Sequence, residues 1–354
     1  MILKAEKPKF SPEGATKAST PSNTITATSA LWLGIVFSVF FTLLIWLTGD
    51  RLVAFVKPED QGAFWYYWHL AEPTFWTRFT AWGGYALHQI ALWSAIYYAQ
   101  KHVGKYTSGL HKINIITLTL NAFFVLLHYV QTHVFYDGLA QDVSMSSSQN
   151  SVILLLVWVL LMENSRRGMF FGYRLPIKKR IIEFAKKYHG YVFAWAITYT
   201  FWYHPMENLP GHLIGFLYMF LMLLQSSLFF TRVHVNKWWM FVQEITVLVH
   251  GGVVAYFQGF GIWPMFVFGF AGMFIITQMH GLGLSRWAKV GLVLLFGLTL
   301  LPVYIGRPLF TLNEIIRIPV IEYLSVIVLA LILWGIIKIQ DIVSKRKSKQ
   351  TLSA

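Results

Sequence analysis

Four ionisable side chains stand inside long uncharged runs of this sequence: His88, His128, His250 and Glu244. An ionisable group at membrane depth is costly unless it is paired or solvated, so each marks a candidate site. Imidazole is the commonest metal ligand and the side chain best suited to moving protons near neutral pH. A buried carboxylate has three options: it takes a proton, pairs with a base, or lines a water path. Helical spacing puts His128 on one face with Asn121 and Thr132, and His250 on one face with Gln243 and Thr246. These stripes read as polar seams turned into a helix bundle. His88 recurs with Ala81, Gly84, Ala91 and Ala95 at three- and four-residue steps, a small-residue face suited to close packing.

A second set of groups clusters where the apolar runs end. His133, Asp137 and Asp142 follow one run, and His204, Glu207 and His212 occupy the segment YHPMENLPGH between two others. His69, Glu72 and Glu322 join them. Imidazole with carboxylate suits iron, copper or zinc, and paired histidines on facing helices suit haem b. The expected metal ligands are therefore His88, His128, His133 and His250, with Glu244, His204, Glu207 and His212 as the acid–base residues. The chain has no cysteine, which excludes disulfides, thiolate metal sites and cysteine nucleophiles. Several enzyme classes are also excluded by pattern. There is no HExxH, no HxxxH or HxxHH box, no glycine-rich phosphate loop and no GxSxG elbow. His128 and His133 are five residues apart, which does not place both rings on one helical face.

The elements that must position these groups are legible from composition. The chain has 354 residues, 56% hydrophobic and only 12% charged, about half the charged share of a soluble domain. Apolar runs of membrane-spanning length predict an all-α polytopic bundle of about ten spans. They fall at 31–49, 74–99, 112–134, 151–170, 186–203, 211–231, 238–258, 260–280, 287–305 and 319–340. With the N-terminus cytoplasmic, 24 of the 29 Lys and Arg fall on inner segments. The net charge of +14 is thus a topology signal that places both termini in the cytoplasm, and nucleic acid is not the expected partner. Residues 1–30 read as a disordered cytoplasmic tail, 31–340 as one transmembrane domain and 341–354 as a basic cytoplasmic tail. The outer segment 50–77 carries Phe64, Trp65, Tyr66, Tyr67 and Trp68 and predicts a short interfacial helix. Gly211 and Gly215, and Gly269 and Gly272, predict close helix contacts.

Three functions compete for this pattern. The leading expectation is a metal- or haem-dependent membrane enzyme, an oxidoreductase by class, in the cell membrane. Its lipophilic substrate would meet a His-lined site in the outer half of the bilayer, with membrane lipids as surroundings. A proton-coupled transporter would use the same buried His and Glu groups as a relay. An assembly subunit of a larger complex would turn them toward partners.

Overall fold

The computed structural model describes residues 25–62 and 65–352. Among these residues it is all-helical, with ten α-helices and no strand. They are α1 (Ala27–Thr48), α2 (Phe75–His102), α3 (Lys112–Phe135), α4 (Met145–Arg167), α5 (Lys179–Tyr203), α6 (Pro210–Ser227), α7 (Lys237–Phe257), α8 (Trp263–Ile276), α9 (Arg286–Tyr304) and α10 (Glu314–Leu352). One helix forms at each of the ten predicted segments. Seven are long and apolar enough to cross a membrane: α1, α3, α4, α7, α9, α10, and α8 with the 3-10 turn that follows it. The other three, α2, α5 and α6, carry His88, the approach to His204, and His212. Their polar residues lower their hydropathy, and the last turns of α5 offset this by burying Phe201, Trp202 and Tyr203 completely.

Local chemistry sets the boundaries. Thr26 caps α1 by accepting from the Ser29 N–H at 3.0 Å, and Thr74 with Thr77 forms a reciprocal cap on α2. Asn236 accepts from the Trp238 and Trp239 N–H groups to start α7. Such caps satisfy donors that a helix start leaves unpaired. Pro210 opens α6, where a missing N–H costs nothing. Helix α5 begins at Lys179, seven residues before the predicted span, because its first two turns are basic and partly exposed. Helix α10 runs through Pro319 and on through the basic segment to Leu352. The tail expected over residues 1–30 lies outside the described residues up to position 24, and Ala27–Ala30 already belong to α1.

The interfacial helix expected in 50–77 does not form. A 3-10 turn covers Gly49–Ala54, and the described residues between it and α2 have no regular structure. Phe64 falls outside the described residues. Pro58 and Pro73 restrict the backbone, and Gly62 adopts φ 101° beside Asp60, whose carboxylate accepts the Gly62 N–H. The segment forms a strap that turns Tyr66 inward until it is 8% exposed.

The helices pack in two groups. One surrounds Trp202, with Phe41, Ile45, Leu92, Phe124, Phe216 and Phe220 from α1, α2, α3 and α6. The other joins α4, α8 and α10 with the start of α5 through Trp158, Leu161, Ile181, Met273 and Leu333. The predicted small-residue contacts hold. A Cβ on Gly84 would lie 2.3 Å from the Trp202 ring, and one on Gly269 would lie 3.0 Å from Ile318. Gly211 and Gly215 both face α7, at Val254 and His250.

Candidate functional site

The ionisable groups separate into a mid-bundle pair, a cluster on the side predicted to be outer (the outer cluster) and an ion pair on the side predicted to be inner. The mid-bundle pair is His88 and His128, both fully buried against the Trp202 side chain. His88 Nδ1 accepts from Trp202 Nε1 at 3.3 Å, since an indole nitrogen can only donate. Its Nε2 therefore carries the hydrogen and donates to Asn121 Oδ1 at 2.8 Å. The Asn121 amide is fixed by its Nδ2, which donates to the Leu223 carbonyl and Ser227 Oγ. His88 is thus a neutral imidazole with both nitrogens in use. His128 Nε2 faces the His204 carbonyl at 2.9 Å and its Nδ1 faces Gln131 Oε1 at 3.1 Å. The i,i+3 spacing of His128 and Gln131 brings them together on α3.

The outer cluster is built around Tyr66, which the strap delivers to the α5–α6 turn. Its hydroxyl lies 2.6 Å from His204 Nδ1 and 3.1 Å from His212 Nε2. A phenol has one proton, so it donates to one ring and accepts from the other. The two imidazole rings are 5.7 Å apart, and Trp68 packs on His212 at 4.7 Å. Beside them, buried Glu207 accepts from Lys57 Nζ and from the Tyr136 hydroxyl. Tyr136 takes φ 63° to end α3, a strained geometry for a bulky residue. Tyr66 also touches the Tyr203 ring at 5.4 Å.

His250 on α7 lies against Gly215, where an added Cβ would stand 3.0 Å from its Nε2. Its field reaches His204 and His212. Among the described residues, neither nitrogen of His250 has a hydrogen bond, nor does the second nitrogen of His204 or His212. Burial, then the neighbouring His212, His250 and His128, hold His204 well below the ordinary imidazole range. It is therefore neutral at physiological pH. On the far side of α3's end, burial lifts the Asp137 carboxyl to about 6, against the opposing hydrogen bond from the Gly138 N–H. Asp142 binds Arg78 at 3.1 Å and accepts from Trp82 Nε1 at 2.8 Å.

Glu244 does not join either group. It accepts twice from Arg167 Nη1, at 2.6 and 2.9 Å. Glu244 borders a cavity of about 10 Å³ lined also by Leu156, Phe270, Met273 and Gln278, room for a single water. The sequence places Arg167 among the topology-setting basic residues, yet its guanidinium folds back into the bundle and is 2% exposed.

The expected metal set does not come together. Among the described residues, no group of three or more His, Asp or Glu is arranged to hold a metal ion. His133 turns to its own helix, with Nδ1 on the Tyr129 carbonyl at 2.9 Å, as the five-residue step implies. Both nitrogens of His88 and both of His128 face protein atoms at 2.8–3.3 Å, so neither ring turns a nitrogen toward an open metal position. Of the expected acid–base residues, His204, Glu207 and His212 converge and Glu244 stands apart. Sequence reasoning missed Tyr66, Lys57, Tyr136, Gln131 and Trp202. Only Tyr66 carries a signal, as one member of the aromatic run 64–68. The chain matches no family model, no curated protein and no solved structure.

Proposed function

We propose that this chain is an integral membrane enzyme that works by acid–base chemistry at the His204–Tyr66–His212 cluster. In this reading it is a ten-span protein of the cell membrane with both termini cytoplasmic. The cluster lies in the outer half of the bilayer and takes a lipophilic substrate. The observation that carries the reading is one hydroxyl bonded to two imidazoles, each with its second nitrogen unbound in the protein. Such a triad lets one ring accept a substrate proton while the other returns one, with Tyr66 passing the proton between them. Neutral imidazoles are required for the accepting step, and burial of His204 supplies that state. Glu207 holds Lys57 and Tyr136 beside the cluster, placing one cation where negative charge on a substrate would develop. The scheme uses the chain's own residues alone, and the expected four-histidine metal set does not assemble among the described residues.

The test is comparative lipid profiling of cells that express wild type, Tyr66→Phe or His212→Gln. We expect at least one lipid species to change by tenfold or more with wild type and by less than twofold with either variant. Identical profiles for all three proteins would overturn the enzyme reading. A relay for proton-coupled transport is favoured by a different observation, the buried Arg167–Glu244 pair, whose Glu244 lies on the helix that also carries His250. Dye-reported acidification of liposomes, present with wild type and absent with Glu244→Gln, would support that alternative.

A further inference from the structure

His88 and His128 are both fully buried and touch the same tryptophan, yet their hydrogen-bond surroundings are opposite. His88 meets one donor, Trp202 Nε1, and one acceptor, Asn121 Oδ1, which suits a neutral ring. His128 meets acceptors only. The His204 carbonyl cannot donate, and the Phe201 carbonyl is also within reach of the ring. The orientation of Gln131 is set by its other end, because Nε2 donates to the Asp137 carbonyl at 2.8 Å. Turning that amide over would put Gln131 Oε1 against the Asp137 oxygen. The oxygen facing His128 Nδ1 is therefore an acceptor by necessity.

A neutral imidazole has one N–H and one lone pair. If Nε2 carries the hydrogen for His204, the Nδ1 lone pair faces the lone pairs of Gln131. Adding one proton at Nδ1 turns that contact into a second, charge-assisted hydrogen bond. The walls of the pocket also suit a cation, since the Trp202 ring lies 4.4 Å and the Phe201 ring 4.8 Å from the imidazole. Aromatic faces attract a desolvated cation. We propose that His128 is an internal proton-binding site, and that the arrangement seen is its proton-loaded form.

The groups around it are consistent with one stored charge. From α2 comes His88, whose partners hold it neutral. From the turn after α5 comes His204, and from the loop after α3 comes Asp137, the carboxyl at the far end of the Gln131 link. Helices α5 and α6 otherwise present no titratable group to it: the rings of Phe201, Trp202 and Phe216, and the Phe201 carbonyl. Release of the proton leaves two lone pairs opposed, so Gln131 must rotate and let go of the Asp137 carbonyl. The same carbonyl–imidazole bond reaches the backbone of His204. Loss or gain of the proton is thus felt at both ends of the outer cluster. The proposal concerns protonation alone and does not depend on the enzyme reading.

The experiment is nitrogen NMR of the full chain in lipid nanodiscs, labelled with ¹⁵N at its histidines. The spectrum is taken at about pH 8, where an ordinary imidazole with a pKa of about 6.5 is neutral. We expect one ring with both nitrogens protonated in wild type, and its loss in His128→Asn. Gln131→Met keeps His128 but removes the fixed acceptor. There we expect the doubly protonated ring to titrate with at least tenfold lower proton affinity, as removal of a hydrogen bond to a charged group implies. If wild type shows no doubly protonated ring at that pH, or if the signal survives in His128→Asn, the proposal is overturned. Where His128→Asn does not fold, an unshifted titration in Gln131→Met overturns it equally.

Discussion

Asp137 shows how a single buried residue sets a pH response. It lies at the end of α3, fully buried, with one carboxylate oxygen on the Gly138 N–H and the other unpartnered. Its pKa is raised to about 6 in the folded protein, against about 3.9 in an unfolded chain. The folded state therefore holds the proton more tightly, and stability contributed by the protonated form is lost as pH rises from about 4 to about 6. We expect Asp137→Asn to leave the thermal midpoint nearly unchanged below pH 4. Above pH 6 it should stabilise the protein, by at most about 3 kcal/mol for a shift of this size. Thermal scans in detergent at both ends of that range measure it. Sequence reasoning could place Asp137 near the outer groups but not assign this role. Its burial depends on Thr77 and Gln131, and on a left-handed turn at Tyr136 that no local pattern announces. The same limit explains His88 and His128. Their inward face was legible from spacing, whereas their shared partner Trp202 follows from packing between helices far apart in the chain.

At the scale of elements, ion pairs between helices carry more weight than those within one. Arg167 ends α4 and Glu244 lies two turns into α7, so their pair ties α4 to α7, a helix that itself packs between α6 and α8. Removing one partner of a buried pair leaves an uncompensated charge, while replacing both with apolar residues is often close to neutral. We expect Arg167→Leu to cost about 3–5 kcal/mol. Adding Glu244→Leu to that variant should restore most of the loss, and a double-mutant cycle of midpoints in detergent would measure the coupling. The element boundaries themselves were largely readable, because apolar run length and capping residues such as Thr74 and Asn236 are local properties. The strap between Ala54 and α2 was not. Its aromatic run has the composition of an interfacial helix, but Pro58, Gly62 and Pro73 deny it a continuous helical backbone, and contact with His204 and His212 then fixes Tyr66.

For the whole molecule, the proposed ten-span arrangement rests on charge placement along the chain. The absence of cysteine makes it simple to examine. A single cysteine at Glu59, in the strap, should react with a membrane-impermeant maleimide in intact cells. A single cysteine at Arg174, between α4 and α5, should react only after permeabilisation. The reverse pattern would invert the orientation, and equal labelling at both would overturn the topology. Within this frame α9 stands apart: most of its side chains face outward, with Trp287, Leu294, Leu298 and Leu301 exposed, and it meets the bundle mainly through α8. The His204–Tyr66–His212 cluster lies away from α9, at the α5–α6 turn and against α7.

The strap has a further consequence. Tyr66 both covers the histidines and connects them. On the proposed acid–base reading, a substrate that reaches these rings from the strap side must displace Tyr66, and displacing it withdraws the hydroxyl that couples His204 to His212. The site would then be either open or armed, since one residue does not serve both states at once. Admission and reaction would be separated in time by the position of a single phenol, and water entering with Tyr66 displaced would meet two uncoupled rings.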